Sequence, residues 1–271
     1  MNSPIDAKTL NVMHNSMTTL KINPNYVLAP FHKLLGGCQN NVLMGLRIAE
    51  KLDKFPEPTP EELNFFQLSM GGQVADIVKS KTLFKKWVLV NGFEDIHKCF
   101  RVTLERLYIL KTVDNKIKSG DTLNLDETEK ELKTKASNFY FDQLIHAVNL
   151  IFDEPLQYQK QIISFNNARN CLVHTNGVVT PRHCNNIEKD KLTIFGNRFK
   201  MFFKKGDEEI IAEIGKPGPE NAALMLGAEE FQIDFSKDRE IELDLKQFLD
   251  ILNTCVFVRA DIDIKLKKNC S

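Results

Sequence analysis

Charge of one sign is missing from this 271-residue chain: 36 Lys and Arg stand against 36 Asp and Glu, a formal net charge of zero. No global field draws it toward nucleic acid or an anionic membrane, so such a partner must meet a local patch. Long apolar runs are missing too. Lys, Asp or Glu interrupts every hydrophobic stretch well short of the roughly 18 residues that cross a bilayer. Met1-Asn2-Ser3-Pro4-Ile5-Asp6 has neither the basic nor the apolar region of a leader, and the expectation is a cytoplasmic protein with no membrane partner. The six cysteines form no C-x-x-C pair, and none has a second Cys or a His at zinc spacing. His183-Cys184, nine positions after His174, lacks the remaining ligands. Neither a metal nor a cofactor is expected. What the chain does have is 42% apolar residues, enough for a continuous core and too many for wholesale disorder.

The zero total hides an uneven distribution. Between 155 and 205 nine cations stand against two acids, whereas between 206 and 250 thirteen acids stand against four bases. Either the two blocks neutralise each other as two faces of one unit, or the basic block meets phosphate. A third arrangement has the acidic block covering a basic groove as an inhibitor.

Residues 1–25 read as a polar arm ended by Asn23-Pro24. A helix is expected over about 31–53, where Leu34, Leu35, Cys38, Val42, Leu43, Leu46 and Ala49 recur at three- and four-residue intervals. Pro56, Pro58 and Pro60 end it, and Thr59-Pro60-Glu61-Glu62 supplies a capping hydroxyl, a first-turn proline and two dipole-facing carboxylates for a second. That helical pattern reaches about 112, with breaks or bends expected at Gly71-Gly72 and Asn91-Gly92. A linker over 116–124 and one helix from Asp126 to before Pro155 follow, and then a helix over about 155–175. The expectation to this point is an antiparallel helix bundle over 26–185. From 186 to 271 the reading is a short β-hairpin turning at Gly196-Asn197, a loop at 216–219, and an amphipathic C-terminal helix from Asp244 to about Asp261, all packed on the bundle. The fold class is mainly α.

One segment is unusual. On a helical wheel, Tyr158, Ile162, Phe165, Ala168, Leu172 and Val173 fall within an arc of about 140°, and Arg169 lies inside that arc. A guanidinium on an apolar face needs a carboxylate partner, or a face that opens onto a cleft or second subunit. Glu94 and Asp95 are the candidate carboxylates. Asn166, Asn170 and His174 stand four apart as a polar stripe beside the arc. Gly177 is the expected left-handed stop, which places His174 in the last turn, where free carbonyls favour an imidazolium. Arg169 and His174 lie about 140° apart around one helix, so two facing copies bring both groups to one atom more readily than one does.

Arg169-Asn170-Cys171-Leu172-Val173-His174 resembles the R-x4-6-H signature of HEPN domains in its R-N-x-x-x-H form. Arg and His four to six apart arise by chance about 0.5 times in a chain of this composition, but Arg-Asn with His at one fixed spacing only about 0.015 times. The resemblance covers roughly residues 30–180. It implies a helical, metal-independent endoribonuclease of toxin or antiviral-defence type, working on RNA as a homodimer, and it brings with it an antitoxin or other regulatory partner. One departure stands at Asn176: members whose antitoxin transfers a nucleotide carry a Tyr there, two residues after the His, so the acceptor of that modification is missing.

On this reading His174 transfers protons, Arg169 contacts the phosphoryl oxygens through its planar fork, and Asn170 orients the phosphate or His174. The 2′-hydroxyl of RNA is the nucleophile, giving a 2′,3′-cyclic phosphate and a 5′-hydroxyl. Lys160, Asn166, Arg182, Lys189, Lys191 and Arg198 are candidate substrate-binding residues, with Lys200, Lys204 and Lys205 beside them, and Phe199 or Phe202 is a candidate stacking ring unless it lies in the core. His97 and His146 read as structural histidines. The alternative is a non-catalytic HEPN-like dimerisation or RNA-binding module, in which a buried Arg169 closes an ion pair with an acid of its own chain and His174 caps the helix.

Overall fold

The computed structural model of the chain describes residues 24–53, 76–121, 123–213 and 215–268. Of the arm expected over 1–25, residues 1–23 lie outside the described residues, as do the helix start at Thr59-Pro60 and the bend at Gly71-Gly72, while Pro24 and Asn25 belong to the first helix.

Two long antiparallel helices, α1 (Pro24–Lys51) and α2 (Ile77–Lys118), form the spine. α1 starts at Pro24, well before residue 31, because a proline suits the first turn of a helix, where the missing N–H would have no partner anyway. Phe31 of α1 meets Phe100 of α2 edge to face at 5.7 Å. Asp76 caps α2, its Oδ1 accepting from the Val78 N–H at 2.8 Å. No break occurs at Asn91-Gly92, and the helix runs through both. Gly92 serves close packing there: a Cβ would sit 2.7 Å from Val42 and 2.8 Å from Phe248.

The single helix expected over 126–151 is two, α3 (Leu125–Asn138) and α4 (Phe141–Ile151), with a corner at Phe139-Tyr140. The cause is Arg101 of α2. Its Nη1 donates to the Phe139 carbonyl at 2.7 Å and its Nη2 to the Ala136 and Ser137 carbonyls at 3.1 and 2.9 Å. The guanidinium thereby takes the carbonyls that continued helix would have used.

After α5 (Gln159–His174) come three antiparallel strands, β1 (Lys191–Lys205), β2 (Glu208–Ile211) and β3 (Ala223–Ser236), in the order β2-β1-β3. Gly196-Asn197 is therefore not a turn but the middle of a 15-residue strand, with Gly196 opposite Phe231 and Asn197 opposite Glu230. The Phe231 ring and the Thr254 hydroxyl occupy the place where a Gly196 Cβ would stand. The hairpin turn is at Gly206-Asp207, with Gly206 at φ 65°. The last helix, α6 (Leu245–Lys268), is longer than expected and carries Phe248, Ile251, Cys255 and Val258 into one core with Phe93 of α2 and Leu192 and Ile194 of β1. The fold is mainly helical with a small antiparallel sheet.

Candidate functional site

α5 packs antiparallel to α2: Phe165 lies 6.4 Å from Phe100, Arg169 meets Glu94, and Gly177 stands beside Lys86. The apolar arc is buried through Ile162, Phe165, Ala168 and Leu172, while Val173 stays 37% exposed. Burying that arc fixes which way the polar stripe beside it faces. The helix ends as its sequence suggests. Gly177 at φ 83° turns its N–H back to the Cys171 carbonyl at 3.0 Å, and Asn176 is also left-handed at φ 54°.

Arg169 occupies the apolar arc with its charge met by its own chain. Nη2 lies 2.6 Å from Glu94 Oε1, and the two side chains are 21% and 38% exposed. Nη1 donates to Asn170 Oδ1 at 3.0 Å, which draws the guanidinium toward the stripe of Asn170 and His174. Nε is buried with no hydrogen-bond partner among the described residues. Asp95, one residue on, is placed elsewhere: it neighbours Cys38 and Cys99, and together with burial its charge helps push the Cys38 thiol up to about 12. His174 is exposed in the last turn of α5. Arg182 and His183 are its electrostatic neighbours: burial, then Arg182 and His174, press His183 below the ordinary histidine range.

Asn166 and Asn170 line a cleft of about 690 Å³ between α5, α2 and the α3–α4 corner. His97 of α2 and Tyr140 of the corner face it as well, and neither was singled out by sequence as a site residue. His97 lies 4.7 Å from Phe141, ring centre to ring centre. Burial foremost, and Arg169 next, push its pKa below 6.5, against the opposing pull of Glu94. The signal for His97 was present in the sequence as its position one turn beyond Glu94 and one turn before Arg101. Tyr140 carried no such signal, because its place depends on the corner that Arg101 makes.

Three cations of the basic block pair with acids across the sheet. Lys191 pairs with Asp234 at 3.3 Å, Arg198 with Glu229 at 2.8 Å, and Lys200 with Glu209 at 2.7 Å. Lys204 and Lys205 stand opposite Glu209 and Glu208. These contacts cross the sheet, so part of the acidic stretch offsets part of the basic one as the sheet forms. Glu208, Glu209, Glu229 and Asp234 thus belong to the strands of the sheet. Lys160 lies over the Phe195 ring at 3.5 Å, and its Cα is roughly 13 Å along α5 from that of Arg169. Lys189 and Arg182 are exposed, and Arg182 Nε lies 3.3 Å from His183 Nε2. Of the candidate substrate-binding residues, the structure places Asn166 and Arg182 near the motif, and it commits Lys191 and Arg198 to acids. Phe199 packs on Phe257 of α6 at 4.6 Å, although it remains 40% exposed.

Among the described residues no group of three or more His, Cys, Asp or Glu is placed to hold a metal ion, and no helix is long and apolar enough to cross a membrane. No protein-family model matches the chain, and neither a curated protein nor a solved structure does.

Proposed function

We propose that the protein is a metal-independent endoribonuclease of the HEPN type, cleaving RNA at a composite site across a homodimer. One observation carries the reading. Asn170 holds the Arg169 guanidinium toward the stripe that ends in the exposed His174, so a fixed cation and a free imidazole share one surface.

RNA supplies its own nucleophile, and the protein has three tasks. A base takes the 2′-hydroxyl proton as the 2′-oxygen bonds to phosphorus. A cation holds the non-bridging oxygens as they gain charge. An acid gives a proton to the 5′-oxygen as the P–O5′ bond breaks. One His174 can be the base, and a second imidazole on the opposite side of the phosphorus can be the acid. His183, the nearest other imidazole, is 6% exposed and engaged by Arg182 and Thr180, so a second copy of His174 is the better source. The surface around the motif suits a second copy: Trp87 is 61% exposed and Leu83 58%, and both share the α2 face of Glu94, next to the half-exposed Val173. A twofold axis there would set two Arg169–His174 pairs in one groove.

The test is incubation of purified protein with mixed RNAs in chelator, followed by end-group analysis. The expected products carry a 2′,3′-cyclic phosphate and a 5′-hydroxyl, DNA is not cut, and His174→Ala lowers the rate by about 100-fold or more. Unchanged cleavage by His174→Ala or Arg169→Ala refutes the assignment.

A second reading has its own observation. The Arg169–Glu94 pair within one chain is what a non-catalytic HEPN-like dimerisation or RNA-binding module would use to close its helix packing. That reading expects a dimer and no cleavage.

A further inference from the structure

We infer that the cleft between α5, α2 and the α3–α4 corner is a nucleobase pocket, which holds one base of the RNA strand whose phosphate lies at Arg169. The inference rests on the ribonuclease reading for the phosphate's position and adds the place of the base.

The first argument is an amide open to the cleft. Asn166 is 9% exposed and lines the cleft, and its amide makes no hydrogen bond to the chain among the described residues. The amide is reached from the cleft, so its donor and acceptor are open to whatever occupies it. A ligand edge with both an acceptor and a donor would satisfy it.

The second argument is the character of the walls. Arg101 spends four of its five N–H donors on three carbonyls and on Glu105 at 2.5 Å, and the Glu105 carboxylate offsets its charge, so it is a poor cation for a ligand. His97 is held toward its neutral form by burial and by Arg169, so it presents one ring N–H and one bare ring nitrogen. Asn170 spends its oxygen on Arg169 and keeps its NH₂ to donate. Asp142 is an exposed acid on the cleft wall. A phosphate or carboxylate would find no free cation inside, whereas a neutral planar heterocycle would find donors and acceptors on two sides. Tyr140, 79% exposed at the corner, adds a ring on which a base can stack.

The third argument is continuity. Asn170 touches the Arg169 guanidinium and lines the cleft, so phosphate site and pocket are adjoining parts of one surface. A nucleotide joins the same two chemistries, an anion and a neutral hydrogen-bonding ring. The volume of about 690 Å³ is ample for one base with its ribose.

The test uses the full-length protein and 2′-O-methyl tetranucleotides of the four bases, which cannot undergo attack by the 2′-oxygen. Fluorescence anisotropy is expected to show one base bound at least tenfold tighter than the weakest. Asn166→Ala and the near-isosteric Asn166→Asp should each reduce that preference to about twofold, and Tyr140→Ala should weaken all four ligands about fivefold. Circular dichroism of each variant checks the fold. Absence of any preference in the wild type, or a preference that survives both Asn166 substitutions, overturns the pocket. Equal affinity for the free nucleoside 5′-monophosphate would assign the cleft to a small molecule and overturn its place beside a cut strand. Cleavage of unmodified RNA, with His174→Ala alongside, judges the nuclease separately: base preference without cleavage keeps the pocket and removes the nuclease, and cleavage without preference does the reverse.

Discussion

Replacing Glu94 with Gln separates the two roles open to Arg169. The substitution keeps shape and removes one charge 2.6 Å from Nη2. Exposed ion pairs contribute about 0.2–1 kcal/mol, and deleting one partner of a fully buried pair costs about 3–5 kcal/mol. With Arg169 21% and Glu94 38% exposed, water screens the pair and the cost lies near the lower range, about 1 kcal/mol. For a chain of this size that is a fall in Tm of about 2–4 °C. The effect on RNA has the opposite sign. Glu94 is the anion nearest the guanidinium that would meet a phosphate, and removing a like charge a few ångströms from the ligand is worth roughly 1 kcal/mol, or about fivefold tighter binding. Melting curves and anisotropy with an uncleavable 2′-O-methyl RNA measure both, and Arg169→Gln with the double variant completes a cycle that isolates the pair. A Tm loss of 8 °C or more with unchanged RNA affinity would refute the reasoning, because the pair would then be a structural closure and Arg169 would not be at the phosphate.

The remaining expectations follow from packing and protonation. Gly92→Ala pushes a Cβ against Val42 and Phe248; about 1–3 kcal/mol of overpacking, less up to about 1 kcal/mol of helix propensity, should lower the urea midpoint, and an unchanged midpoint would contradict the close approach. Thr254→Val leaves the buried Asn197 N–H, now 2.8 Å from the Thr254 hydroxyl, without a partner, at a cost of about 1–3 kcal/mol by chemical denaturation. His97, whose pKa in the folded protein lies below its ordinary 6.5, binds fewer protons folded than unfolded, so its contribution is intact above that value and lost as pH falls through it toward the folded pKa. Tm measured from pH 8 to 5 should therefore drop more steeply for the wild type than for His97→Gln, and parallel curves would show that His97 is not shielded. Truncation after residue 205 removes β3 and α6, and circular dichroism should report loss of folding; a folded, more active fragment would revive the acidic block as an inhibitor.

How far these features could be read in advance depends on whether their causes are local. α1, α5 and α6 show as apolar side chains at helical intervals, and the stop at Gly177 shows because a left-handed residue favours glycine. The need for an acid near Arg169 is visible from the wheel alone, since a charge on an apolar face requires a partner, and Glu94 fills that need. The corner at Phe139-Tyr140 has no glycine or proline to mark it. Its cause is Arg101, more than thirty residues earlier, so no window around the corner contains the reason. Gly196-Asn197 misleads in the opposite way. The pair has turn chemistry, yet the glycine is there because Phe231 and Thr254 need its missing side chain. β3 was not expected at all, because Ala223–Ala228 is apolar at successive positions and lacks the alternation of a strand with one wet face.

On the proposed reading, the pairing between the two charged blocks narrows the terms on which RNA would be held. Where cations line a groove unpaired, counterion release supplies most of the affinity and the grip is indifferent to sequence. Here Lys191, Arg198 and Lys200 are bonded across the sheet to Asp234, Glu229 and Glu209, and breaking those pairs to reach a phosphate would cost part of what the phosphate returns. Cations left near the motif are Arg169, shared with Glu94, and Arg182, whose Nε faces His183. A single copy therefore presents a weak electrostatic site, and a twofold pair of copies would double it without adding a residue to the chain. On that reading the remaining affinity would come from neutral contacts: the Asn166 and Asn170 amides, the His97 edge and the Tyr140 ring. Such contacts depend on which base is offered, so a strand held in this way would be bound selectively.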